Sequence, residues 1–141
     1  MRLLITLLSA FMLFGCSASE EPHPVIARHV DAFNAGDLEV MSALQHPDIE
    51  WFGIDGADMR LEIAGREALA EMLDAYRSNN PTVVGMTRDW SQNGPYVSVI
   101  ETASWTTEDG TKRAQSALSV YELQDGLIRR VWYFPSVSEP Q

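Results

Sequence analysis

Cysteine is nearly absent from this chain: Cys16 is the only one among 141 residues. An internal disulfide is thereby excluded, and so is a cluster of thiolate metal ligands. Basic residues are scarce as well. Ten lysines and arginines face 20 aspartates and glutamates, for a formal net charge of −10. That excess opposes binding to nucleic acid or to anionic lipid headgroups. The three histidines, His23, His29 and His46, lack metal spacing of the His-Glu-x-x-His kind. No glycine loop for phosphate and no serine elbow occur, so the sequence supports no metal, nucleotide or flavin cofactor. Long apolar runs are missing too, with one exception at the start of the chain.

That exception runs from Leu3 to Gly15 behind Arg2 and ends at Cys16. Its 13 apolar or small residues fall short of the roughly 20 that span a bilayer, which leaves a signal peptide as the expectation. Leu13-Phe14-Gly15-Cys16 resembles a bacterial lipobox, with Phe14 where that motif usually has a smaller or aliphatic residue. The resemblance implies a diacylglyceryl group on Cys16 as the new N-terminus. Two or more acyl chains hold a protein to a membrane where one does not. By the same resemblance, Ser17 after the cysteine implies the outer membrane of a two-membrane envelope, facing the periplasm. The expected organisation is residues 1–15 as signal peptide, 16–23 as lipidated cysteine and tether, 24–136 as one domain, and 137–141 as a tail. Arg2 leaves with the signal, so the mature chain carries 9 basic residues against 20 acidic ones. About 125 residues suffice for a buried core without staples.

Within the domain, Ile26, Val30 and Phe33 recur at helical spacing, which predicts a helix over Pro24 to Ala35, stopped by Gly36. Asp37 is placed to cap a second short helix carrying Leu38, Met41 and Leu44, with Pro47 as its end. Ile49 to Ile54 reads as a strand. Gly65 to Ser78 reads as a third helix with Leu69, Met72, Leu73 and Tyr76 on its inner stripe. Beyond Asn79-Asn80-Pro81 the period changes to two. Four strands are predicted, Thr82 to Trp90, Tyr96 to Thr106, Lys112 to Gln124 and Leu127 to Phe134, joined by turns at Gly94, Gly110 and Gly126. Helices first and antiparallel strands after them predict an α+β domain.

Three segments carry a family resemblance: Asn34-Ala35-Gly36-Asp37-Leu38, Gly65-Arg66-Glu67-Ala68-Leu69 and Asp125-Gly126-Leu127-Ile128. In this order they resemble the nuclear transport factor 2-like superfamily, in its SnoaL-like and ketosteroid-isomerase-like branch. The resemblance implies a cone-shaped α+β barrel, with three N-terminal helices on a curved, mostly antiparallel sheet, an apolar pocket between them, and frequent dimers. It does not imply one chemistry. The isomerase's first-helix tyrosine falls on His29, its carboxylate base near Gly53 and its second oxyanion donor near Ser119. All three groups differ here, so steroid isomerisation by that mechanism is unsupported. Asp55 is near enough to be a displaced base, but an aspartate before Gly56 ordinarily caps a turn.

Turn geometry predicts which strand faces point inward. A three-residue loop before Thr111 sets Trp105 opposite Arg113 and Val99 opposite Ser119. A two-residue turn at Asp125-Gly126 sets Tyr121 opposite Arg130 and Ser119 opposite Trp132. The inward face then holds Val97, Val99, Glu101, Ala103, Trp105, Gln115, Ala117, Ser119, Tyr121, Arg130, Trp132 and Phe134. The outer face, with Ile100, Leu118, Val120, Val131 and Tyr133, is apolar enough for a homodimer interface. Glu101, a carboxylate in an apolar row, and His29, on the inner side of the first helix, are the candidate catalytic pair. Each also reads as a structural residue, Glu101 paired at the rim and His29 bonded in the core. Trp51, Trp105, Ser119, Tyr121, Arg130 and Trp132 are candidate ligand contacts, Arg130 as an anchor for a carboxylate or sulfate. Arg130 reads equally as a cross-strand pair.

Three functions fit this pattern. One is an envelope-anchored module binding a small apolar or amphipathic molecule. Another is an enzyme of isomerase, cyclase or hydrolase type doing cofactor-free acid–base chemistry on such a molecule. The third is a dimerising association domain without catalysis.

Overall fold

The computed structural model describes residues 23–139. The leader, Cys16 and most of the tether therefore lie outside the described residues. Three helices and seven strands follow in order: α1 (Pro24–Ala35), α2 (Leu38–Ala43), β1 (Gln45–Asp55), β2 (Asp58–Ala64), α3 (Arg66–Asn79), β3 (Val84–Asn93), β4 (Tyr96–Thr106), β5 (Lys112–Gln124), β6 (Leu127–Tyr133) and β7 (Val137–Ser138). The sheet runs β2-β1-β6-β5-β4-β3, with β7 on β5. Only the β1–β6 pair is parallel among the described pairings. This is the cone-shaped α+β fold, a curved and mostly antiparallel sheet wrapped over three helices.

Local chemistry explains the helices. Pro24 occupies the first turn of α1, where its missing N–H costs nothing. Gly36 ends the helix at φ 70°, a left-handed conformation suited to glycine, and its N–H closes onto the last carbonyls. Asp37 accepts a bond of 3.0 Å from the Val40 N–H and so caps α2. Ile26, His29 and Ala32 form the buried face of α1, and Leu69 and Leu73 that of α3. They meet Met41, Ile49, Val97, Val99, Tyr121, Ile128 and Val131 in one core. This core draws on all three helices and on β1, β4, β5 and β6.

Polar clamps seat the helices on the sheet. Asn34 bonds Gly85 of β3 twice, donating to its oxygen at 2.9 Å and accepting from its nitrogen at 2.8 Å. Arg77 near the end of α3 donates to the Phe33 and Asn34 carbonyls at the end of α1. Its guanidinium also lies 5.5 Å from the Phe33 ring centroid. No helix among the described residues is long and apolar enough to cross a membrane.

Four expectations need correction. Pro47 does not end α2; the helix stops at Ala43 and β1 already includes Pro47. The β1–β6 pairing is irregular between Gln45 and Glu50, and there a residue without an N–H is tolerated. Strand β2 went unread because it is an edge strand exposed along almost its whole length, so no alternation marks it. The supposed tail contributes β7, which pairs Val137 with Ser116 and extends the sheet.

The fourth correction matters most. The β4–β5 register is as expected, with Trp105 opposite Arg113 and Val99 opposite Ser119. In β6, however, a bulge places Arg129 as an extra residue between the Leu123–Ile128 and Glu122–Arg130 pairs. Beyond it Tyr121 faces Val131 and Ser119 faces Tyr133. Val131 and Tyr133 thus point inward, while Arg130 and Trp132 point outward. Ile128 and Val131, both buried, are three residues apart; a regular strand would put them on opposite faces, and the bulge reconciles them.

Candidate active site

A cavity of about 430 Å³ lies between the helices and the concave sheet face. That is within the usual size of small-molecule sites. Its walls are apolar and aromatic, including Val30, Phe33, Met72 and Tyr76 from α1 and α3 and Trp51, Ala103 and Phe134 from the sheet. Its polar groups are few: His29, Gln115, Tyr121, Tyr133 and the carboxylates of Glu62 and Glu101 are the main ones.

Glu101 is the candidate for proton transfer. It projects from the inward row of β4, and both carboxylate oxygens are engaged. Tyr121 donates its hydroxyl to Oε1, and Tyr133 donates to Oε2. Burial pushes the Glu101 pKa up to about 7, against the opposing pull of the Tyr121 and Ser119 hydroxyls. A carboxyl poised near neutrality can release or accept a proton in the working range of most enzymes. Tyr121 moves the other way from a reactive group. Burial first, then the neighbouring Glu101 charge, raises its pKa well above 10, so it remains a hydrogen-bond donor. Tyr133 is braced by Trp51, whose ring stacks on it at 4.7 Å between centroids.

His29 faces the same cavity from α1 and is 6% exposed. Desolvation lowers its pKa to about 4, so the ring is neutral at physiological pH. Its Nε2 lies 2.8 Å from Gln45 Nε2. With the amide donating, the imidazole accepts at Nε2 and carries its proton on Nδ1. His29 and Glu101 thus share a cavity, yet each is tied to its own partner rather than to the other. The histidine suits a neutral hydrogen-bonding role and not that of a cationic acid.

The remaining candidates separate cleanly. Trp51 and Tyr121 line the cavity, as expected. Ser119 lies beneath it, fully buried, with no hydrogen bond of ordinary geometry at Oγ. Trp105 sits near the end of β4 and is not part of the lining. Arg130 is on the outer face, where it bonds Glu50 at 2.8 Å and Glu122 at 2.7 Å, so it is a cross-strand ion pair and not a ligand anchor. Trp132 is also outside, stacked on Phe52 at 5.9 Å. The bulge at Arg129 causes both displacements.

Two titratable residues line the cavity beyond those the sequence points to, Tyr133 and Glu62. An unbroken register puts Tyr133 on the outer face, whereas the spacing of Ile128 and Val131 signals the break. Glu62 lies on the unread strand β2, as the extra residue opposite Trp51 and Phe52. Its carboxylate reaches over position 53, where a methyl group on Gly53 would stand 2.9 Å from Glu62 Cδ and closer still to Oε1. Asp55, by contrast, pairs with Asp58 beside the β1–β2 turn. No cluster of three potential metal ligands occurs among the described residues.

Comparison with known proteins now places this arrangement. The SnoaL-like domain family matches residues 26–131, and the chain belongs to that family. No curated protein matches it. Among solved structures it is similar to wild-type IdmH of Streptomyces antibioticus, described as a polyketide cyclase candidate, with 23% identity, 82% of this chain and 90% of that one covered, and a TM-score of 0.67. It is similar to TerC crystallised with polyporic acid, with 20% identity, coverage of 82% and 89%, and a TM-score of 0.63. A further likeness is to a polyketide cyclase candidate of Xanthomonas campestris, at 21% identity, coverage of 79% and 87%, and a TM-score of 0.58. At these identities the likeness establishes the shared fold.

Proposed function

We propose that the cavity binds a small, largely apolar molecule bearing a carbonyl or phenolic oxygen, and that Glu101 moves a proton on it without a cofactor. The observation that carries this reading is the half-buried Glu101 carboxyl, which lines an apolar cavity and is gripped by two tyrosine hydroxyls. In the ionised form Glu101 takes a proton from carbon or oxygen. Tyr121, Tyr133 or neutral His29 then donates a hydrogen bond to the oxygen where charge develops. Cyclase candidates on the same scaffold support small-molecule chemistry of this kind. The test is hydrogen exchange at an enolisable carbon of 2-tetralone in heavy water, followed by mass spectrometry. Exchange at the buffer rate would defeat the reading.

Anchoring is a separate proposal resting on the leader and Cys16. Wild-type protein is expected in the membrane fraction and Cys16→Ala in the soluble fraction or as unprocessed precursor. Recovery of wild-type protein with an unmodified Cys16 would refute it. A homodimer through the outer sheet face is supported by Tyr96 and Leu118, 47% and 40% exposed beside the Phe52–Trp132 stack. Light scattering should show a dimer that Trp132→Glu converts to monomer; a monomeric wild type would end that proposal.

A further inference from the structure

The cavity has a charge asymmetry that its size and apolarity do not require. Two carboxylates line it, Glu101 within and Glu62 at the exposed rim, and the lining contains no lysine or arginine. Arg130 is held on the outer face by Glu50 and Glu122, and Arg60, the β2 register partner of Gly53, is exposed and lies outside the lining. His29 is neutral and adds no positive charge. The rim carboxylate is also placed by construction. Strand β2 bulges at Glu62, and the side chain fills the space that a side chain at position 53 would occupy. Gly53 is also the register partner of Tyr133, whose hydroxyl holds Glu101, so Glu62 sits beside the strand position that faces that tyrosine.

We infer that Glu62 is a specificity-determining residue: seated over Gly53, it makes the cavity accept uncharged or cationic ligands and reject those carrying a carboxylate, sulfate or sulfonate. The inference rests on the ligand-binding reading above and narrows it to a chemical class. An anion entering past Glu62 loses hydration and meets like charge, and no lysine or arginine in the lining offsets either cost. A neutral ketone, phenol or amine meets none of these costs.

Two probes with one aromatic skeleton test this: neutral N-phenyl-1-naphthylamine and its sulfonated analogue 1-anilinonaphthalene-8-sulfonate. Each is titrated by fluorescence, in competition with the other, against protein lacking residues 1–16. The neutral probe should bind at least about tenfold more tightly. Glu62→Gln should tighten the sulfonate by about threefold to tenfold and leave the neutral probe within twofold, an effect that shrinks in high salt. Gly53→Ala should reproduce the change, because the new methyl expels the carboxylate, a flexible group. In a Glu62→Ala background the same substitution should change nothing further. Equal affinity for both probes, or a Glu62→Gln change that moves both alike, overturns the role of Glu62 and leaves the cavity reading standing. Failure of the neutral probe to bind at all overturns both.

Discussion

Glu101→Gln is expected to slow protein-catalysed hydrogen exchange of 2-tetralone by about 10²- to 10⁴-fold, the ordinary contribution of a positioned general base. Glutamine keeps the shape and can still accept from a tyrosine hydroxyl, so the cavity should survive while the proton acceptor is lost. The wild-type rate should depend on pH in a fixed direction. The base is the ionised form, so exchange should be slow near pH 5, reach half its maximum at about pH 7, and level off above. Removing the Tyr121 hydroxyl takes away a bond that favours ionisation, which moves that midpoint upward. A wild-type profile that ignores pH between 5 and 8, or a Glu101→Gln variant of full activity, would remove Glu101 from the mechanism.

The same substitution should stabilise the protein in alkaline conditions. Folded Glu101 titrates at about 7 and a free glutamate at 4.5, so between these values the folded state holds a proton that the unfolded state has released. Wild-type stability from this group is complete below pH 4.5, falls as pH rises, and is gone by about pH 7. The deficit above pH 7 is at most about 3 kcal/mol, and water in the cavity reduces it. Glutamine carries no such deficit. Glu101→Gln should therefore match wild type near pH 4 and melt roughly 10 °C higher at pH 8. His29 contributes the opposite slope: its lowered pKa makes stability grow between about pH 4 and 6.5. In wild type the two slopes offset each other over much of that span; in Glu101→Gln the histidine's rise should stand alone. Calorimetry from pH 4 to 8 checks both. A variant less stable than wild type at pH 8 would show that Glu101 is a structural ion rather than a strained functional group.

The two tests are independent. The first reads the carboxylate against a substrate, whereas the second reads its cost to the fold. Agreement between the kinetic midpoint and the stability midpoint would mean that one ionisation governs both.

Much of the architecture was legible along the chain because its signals are local. Helix α1 has the expected bounds because Pro24 and Gly36 act within a turn of their own position. The β4–β5 hairpin has the expected register because Tyr96 to Thr106 and Lys112 to Gln124 are regular strands around a short loop. The same register puts Glu101 and Tyr121 on the cavity side of β4 and β5, and helical spacing puts His29 there from α1. The error began at one residue. Arg129 adds a step to β6, and since side chains alternate with period two, that step exchanged Tyr133 for Trp132 and freed the cavity of Arg130.

Sequence alone determined the family scaffold, the apolar interior, the acidic surface and a glutamate inside the cone, because period, turns and composition are properties of neighbouring residues. Tertiary structure decided the make-up of the cavity: which tyrosines hold Glu101, that no lysine or arginine among the described residues lines it, and that Glu62 reaches over Gly53. Those facts join strands distant in the chain, and a bulge costs too little in local propensity to announce itself.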